Sequence, residues 1–175
     1  MKKIYEMQGV SNSQTNPFTK TDSDRAEIWE MLVERDIDAF VAADWSMVAN
    51  DFDEPAFFGV DAGKVPNPDN WKLGFPDLET YKAEWLHQAH EFSKTEFAED
   101  ARAAIFNATN LTDIEINGNR AIARKKFDGA IRKADGQQDR LLWQTLYFCV
   151  RREGQWKICS FAGYLPNPLG AGTEK

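Results

Sequence analysis

The chain has 175 residues, of which 42% are hydrophobic and 13% aromatic, and its formal net charge is −7. That length suits one domain, and that composition can bury a real core. The negative balance excludes the basic footprint that nucleic acid demands, and it also disfavours an anionic membrane surface.

No stretch approaches the roughly 18 consecutive apolar residues needed to span a bilayer, so no membrane partner is expected. MKKIYEMQGV opens on basic residues but has no apolar centre, so it does not read as a signal peptide. Cys149 and Cys159 are the two cysteines. In a chain of this size they read as free thiols of a cytoplasmic protein.

Residues 1–22 are polar and aperiodic, and read as a flexible extension that ends in a helix cap at Asp22 or Ser23. The domain proper is expected over 23–166, with a flexible tail over 167–175. A first helix runs to about Arg35, with Ile28, Trp29, Leu32 and Val33 on its apolar face and Arg25 beside it.

The second predicted helix is Asp36 to Phe52. At about 100° per residue, Ile37, Phe40, Val41, Trp45, Val48 and Phe52 share one side. Asp44 falls near the middle of that stripe. A carboxylate among such residues is costly to bury unless paired or neutralised, so the stripe marks a pocket with Asp44 as its candidate group. Asp44 also suits the cap of a new turn beginning at Trp45. Asp51 lies at the edge of the stripe and reads as a rim carboxylate.

AFFGVDAG is a short strand candidate, and KVPNPDNWKLGFPD a structured loop held down by Trp71 and Phe75. Asp77 caps a third helix, from about Leu78 to Lys94, with Leu78, Tyr81, Trp85, Ala89 and Phe92 in one stripe. His87 and His90 fall off that stripe and read as surface residues. No metal set accompanies them, and no phosphate loop or nucleophile motif is present, so no cofactor is expected.

From Ala101 onward the pattern reads as strands. ARAAIFNATNLTDIEI is followed by a turn at Asn117-Gly118-Asn119, then RAIARKKFDGAIRK, a turn at Asp135-Gly136, RLLWQTLYFCVRR, a turn at Glu153-Gly154-Gln155, and WKICSFAGYL. The result is an antiparallel meander. Both faces of its last strands are apolar, with Leu142, Leu146, Phe148 and Val150 on one side and Trp143, Tyr147 and Cys149 on the other. One face must meet the helices. The other, if it left Trp143 or Tyr147 in an exposed patch, needs cover, and a homodimer through the sheet is the simplest cover.

The order helix, helix, short strand, loop, helix and four-strand meander resembles the NTF2-like superfamily, and within it the SnoaL-like proteins. RDIDAFVAADWSMVANDF, DLETYKAEWLHQA and GQWKICSFAGYL carry the resemblance, which spans about Asp24 to Leu165. It implies an α+β cone, three N-terminal helices against a curved, mostly antiparallel sheet, with a pocket between them. Several enzymes of that group use a pocket acid for general acid/base work on a small apolar molecule. The chain lacks the ketosteroid isomerase pattern of a tyrosine on the first helix and the carboxylate–arginine–carboxylate set of the epoxide hydrolases.

Two functions compete. In the first, Asp44 is the general base of an isomerase-, dehydratase- or cyclase-type enzyme. Tyr81, Tyr164 or Gln144 then donates to the developing oxyanion, and Trp45 and Trp85 stack on a flat ligand. Gln144 stands out because it interrupts the apolar run Leu142, Leu146, Phe148. In the second, the protein binds a small apolar or aromatic ligand, or serves as a dimeric interaction module, without chemistry. Asp44 is then a cap, or a partner of Arg25, Arg124 or Lys126.

Overall fold

In the computed structural model, residues 14–167 are described. Part of the predicted extension lies against the body. Phe18 packs onto the core, and Asn16 Nδ2 donates to the Ala26 carbonyl at 3.0 Å. Residues 1–13, and the predicted tail from 168 onward, lie outside the described residues.

The two predicted N-terminal helices are one. α1 (Ser23–Trp29) passes through a π-helical turn (Glu30–Arg35) into α2 (Asp36–Ala42) without a break. Nothing at Arg35-Asp36 stops a helix, since neither glycine nor proline is present. The stop comes at Ala43, which takes a left-handed φ of 51°, followed by extended Asp44. The helix therefore ends at Ala42 rather than Phe52, and the chain goes on in two short 3₁₀ turns, Trp45–Met47 and Ala49–Asp51. This irregular segment is fastened back to the π turn. The Arg35 guanidinium donates to both Asp51 oxygens, at 2.8 and 2.9 Å.

The segment predicted as a strand from Ala101 begins with a helix, α4 (Ala101–Ala108). Its alanines are strong helix formers, and the Asp100 side chain accepts from the Ala103 N–H at 3.0 Å. α3 (Leu78–Ser93) forms as expected, with the Asp77 side chain accepting from the Thr80 N–H at 2.8 Å. Among the described residues no helix is long and apolar enough to cross a membrane.

Seven strands form one mixed sheet among the described residues. They are β1 (Phe58–Asp61), β2 (Lys72–Phe75), β3 (Thr109–Asn110), β4 (Ile114–Asn117), β5 (Arg120–Arg132), β6 (Gln138–Arg152) and β7 (Gln155–Leu165). The order is β2-β1-β7-β6-β5-β3, and β4 also pairs with β5. Only β1 and β7 run parallel; the other pairs are antiparallel, as the meander predicts. The β6–β7 register shifts twice, between Gln144 and Leu146 and between Phe148 and Cys149, and such bulges bend a sheet around what it covers. The fold is α+β, helices seated in the concave side of a curved sheet.

Alternation decides what faces inward. On β5, Ala121, Ala123, Lys125 and Phe127 are buried, and they pair with Cys149, Tyr147, Thr145 and Trp143 of β6. Trp143 and Tyr147 therefore face the helices and pack on the main core, not an exposed patch. The outward set is Leu142, Leu146 and Phe148. Leu146 packs with Val60 and Trp71 against the small cluster Ala62, Ala162 and Leu165, so the proline-rich loop contributes Trp71 to the packing there. One glycine matters to the inner face. A Cβ on Gly59 would stand 2.6 Å from the Phe161 ring, so only glycine lets that ring lie across β1.

Both cysteines are free thiols. Cys149 is 1% exposed, and burial pushes its thiol pKa far above the usual range. Cys159, at the bulge, is half-buried and donates to the Phe148 carbonyl at 3.2 Å. The thiolate is the reactive form. A thiol reagent at pH 8 should therefore label Cys159 alone in the native chain, and Cys149 only after unfolding. Peptide mapping that found fast labelling of Cys149 would show the sheet interior to be open there.

Candidate functional site

Among the described residues, the inner side of the sheet holds one charged side chain at full burial. Lys125 is 1% exposed, between Ala123 and Phe127 on β5. An unpaired ammonium at that depth costs several kcal/mol. Its compensation comes from the helix opposite. Lys125 Nζ donates to the Leu32 carbonyl and, at 2.8 Å, to Asp36 Oδ2. In a regular α-helix the Leu32 carbonyl pairs with the Asp36 N–H. Here that N–H turns to the Val33 carbonyl, at the end of the π turn. The π turn thus leaves a carbonyl for the lysine and turns Asp36 toward it. The Phe127 ring lies 5.1 Å from the same Nζ, within cation–π range.

Asp36 and Lys125 line a cavity of about 240 Å³ between α2, α3 and the concave sheet. The rest of the wall is mostly aromatic, with Phe40, Phe75, Phe127, Trp143 and Phe161 among its rings. Tyr81 and Tyr147 add hydroxyls. Burial raises both phenol pKa values well above 10, and the Asp36 charge acts in the same direction. Both phenols therefore stay protonated at neutral pH and can donate. Another polar group in the wall is a chain of side chains. The Tyr164 hydroxyl donates to Gln88 Oε1 at 3.1 Å, and Gln88 Nε2 donates to Glu84 Oε1 at 2.7 Å.

Of the residues singled out from the sequence, Tyr81, Trp85 and Tyr164 line this cavity. The others do not. Trp45 is buried behind the wall, stacked on Phe52 with ring centroids 5.1 Å apart and edge-on to Trp85 at 5.3 Å. Gln144 lies on the other sheet face, where its Nε2 donates to the Pro166 carbonyl at 2.6 Å. Asp44 is exposed. Its Oδ1 accepts from the Ser46 N–H at 2.9 Å and the Ser46 hydroxyl at 2.6 Å, capping the turn after α2. The helical phase that put Asp44 inside stops applying at Ala43. His87 and His90 are exposed, as expected. Among the described residues no three His, Cys, Asp or Glu side chains are grouped to hold a metal.

Asp36 and Lys125 are the residues that sequence reasoning passed over, though each left a signal. Leu32, Asp36 and Phe40 fall at i, i+4 spacing on a single helix face. A helix boundary drawn between Arg35 and Asp36 hides that row. Lys125 stands in the inward phase of an alternating strand, Ala121, Ala123, Lys125, Phe127.

No protein-family model matches the chain, and no curated protein matches it. Solved structures do. A protein of the nuclear transport factor 2 (NTF2-like) superfamily from Salmonella enterica serovar Typhimurium is 16% identical, with a TM-score of 0.55 over 89% of this chain and 99% of that one. An NTF2-like protein of unknown function from Pseudomonas putida is 16% identical, with a TM-score of 0.53 over 82% and 86%. An NTF2-like protein with a cystatin-like fold from Novosphingobium aromaticivorans is 13% identical, with a TM-score of 0.51 over 88% and 87%. The chain has the NTF2-like cone fold.

An exposed cap contributes stability and nothing to the cavity. Asp44→Ala should cost about 1 kcal/mol in a denaturant melt, the usual worth of a cap. It should leave the melting-temperature shift produced by any cavity ligand unchanged. Loss of ligand binding in that variant would bring Asp44 back into the site.

Proposed function

We propose that the cavity binds a small apolar or aromatic molecule and that Asp36 moves a proton on it, an isomerase-, dehydratase- or cyclase-type activity of the SnoaL-like kind. The observation that carries this reading is the Asp36–Lys125 pair, set in a wall that is otherwise mostly aromatic. Asp36 Oδ2 is held by Lys125, whereas Oδ1 takes no hydrogen bond among the described residues. Oδ1 can therefore remove a proton from a carbon next to a carbonyl and return it to another position. Tyr81 or Tyr147, kept protonated by burial, donates to the oxygen that gains charge. The aromatic walls limit the water around both groups, which strengthens both interactions.

The test needs no knowledge of the natural substrate. Small planar carbonyl compounds that raise the melting temperature are incubated with the protein in D2O. Deuterium should enter the carbon next to the carbonyl, followed by NMR. Asp36→Asn should still bind these compounds, with exchange slowed by about two to four powers of ten. It should also lose about 1–3 kcal/mol of stability, because Lys125 keeps only neutral acceptors. Exchange at full rate in the Asn variant would remove Asp36 from the chemistry.

The tie between Oδ2 and Lys125 favours a second reading, a binding module in which the pair is structural. Compounds that bind wild-type protein without any exchange would establish it. The unpaired thiols suit the cytoplasmic setting expected from the cysteine content.

The homodimer is also proposed, through the outer sheet face. Its support is the outward trio Leu142, Leu146 and Phe148, together with an open hollow of about 220 Å³ lined by Ile122, Phe148 and Cys159. Light scattering should give twice the chain mass of 20.0 kDa, and Phe148→Lys should shift it to the monomer. A wild-type monomer at micromolar concentration would overturn the dimer.

A further inference from the structure

The cavity also constrains what it can hold. From that geometry we infer that its ligand is a neutral, planar ketone of one or two rings, anchored by Lys125. This rests on the reading of the cavity as a ligand site and adds the identity of the ligand class and of its anchor.

Size sets the first limit. A dry apolar cavity of about 150 Å³ accepts a benzene ring. The space here, about 240 Å³, is ~1.6 times as large, which leaves room within the walls for a second fused ring with a small substituent, whereas a four-ring skeleton would not fit wholly inside. Shape sets the second limit. Phe127 and Trp143 lie with ring centroids 4.6 Å apart on neighbouring strands, and Tyr81 and Phe161 at 4.9 Å, so the walls offer ring faces and edges to a flat molecule.

Hydrogen bonding sets the third. A lysine ammonium has three N–H donors and no acceptor. Lys125 gives one to Leu32 and one to Asp36, its hydrogen bonds among the described residues, and Lys125 itself lines the cavity. A ligand that takes the third must present an acceptor, which excludes an ammonium. Charge sets the fourth. The ionisable carboxylates and amines of the wall are Asp36, Glu84 and Lys125, so the formal balance is already negative. A ligand carboxylate would add a further anion beside Asp36, and like charges at that range oppose each other. A carbonyl oxygen accepts the third N–H without bringing charge. It also places the adjacent carbon near the Asp36 carboxylate, since both groups share Lys125.

The experiment compares 1-tetralone with tetralin, the same two-ring skeleton without the carbonyl, by calorimetry and thermal shift. The series adds 1-aminotetralin, 1-naphthoate and a four-ring steroid ketone. Wild-type protein should bind 1-tetralone at least 10-fold tighter than tetralin and tighter than every other member. In Lys125→Met the advantage over tetralin should fall several-fold, a tyrosine hydroxyl on the same oxygen supplying what remains, and an unchanged advantage would overturn the anchor. Should that variant not fold, the carbonyl carbon of 13C-labelled 1-tetralone decides the matter on wild-type protein. Its resonance should move downfield of its position in a dry hydrocarbon solvent, as a hydrogen bond from an ammonium requires, and no movement would overturn the anchor. Equal binding of tetralin and 1-tetralone would overturn the anchor while leaving the ligand site intact. Tighter binding of the amine, the carboxylate or the steroid would overturn the ligand class. Failure of the whole series to bind would instead overturn the ligand site itself.

Discussion

A buried cation has to be answered, and in this fold the answer organises the space around it. Lys125 rises from the centre of the sheet and meets a helix carbonyl and a helix carboxylate. That arrangement needs a carbonyl released from the regular helical ladder, and the π turn between α1 and α2 releases it. π turns of this sort recur at functional sites because they spend local regularity on aiming a group. Removing the lysine would leave Asp36 without its partner, and removing Asp36 would leave the ammonium leaning on Leu32 alone. The pair fixes the separation of helix and sheet at one point, and the cavity lies beside it.

Around that point the wall is built from rings. Phe161 sits at its centre, with Phe57, Phe75, Tyr81 and Tyr147 at centroid distances from 4.9 to 6.1 Å. Rings in tilted and edge-on arrangements hold their positions while leaving space between them that aliphatic side chains would fill. Gly59 makes room for Phe161 on β1, and the two bulges of β6–β7 curve the sheet so that its inner side is concave. Lys125, 1% exposed at the edge of that space, is shielded from water, so its hydrogen bonds and charge count for more than they would in water.

Asp36 and Asp44 are eight positions apart, and the course of the backbone between them separates their roles. Up to Ala42 the helix keeps its phase, so Asp36 shares a face with Leu32 and Phe40. At Ala43 the backbone turns left-handed, and Asp44 becomes the cap of a surface turn. Arg35 and Asp51 then clamp the irregular segment back to the helix. Burial holds the Asp51 carboxyl above its usual pKa despite the guanidinium, and Asp51 is only 9% exposed. Three carboxylates in one short stretch thus serve as pocket group, cap and clamp.

The sequence by itself determined the architecture in outline and part of the wall. The stripe of α3 placed Tyr81 and Trp85, the turn signals at Gly118, Gly136 and Gly154 delimited β5, β6 and β7, and the cap at Asp77 marked the start of α3. These are local signals, carried by residues a few positions apart. The sequence misplaced what depends on a single backbone angle or on distant partners. A helix and a strand compete closely over the alanine-rich run from Ala101, and the Asp100 cap tips it to helix. A period of 3.6 carries past Ala43 on paper, while the chain turns there. The Lys125–Asp36 contact joins residues 89 positions apart, and no local pattern records which of many charged residues will meet across a core. Only the tertiary structure decided that, because the cost of burying a charge is settled by whatever the fold sets opposite it.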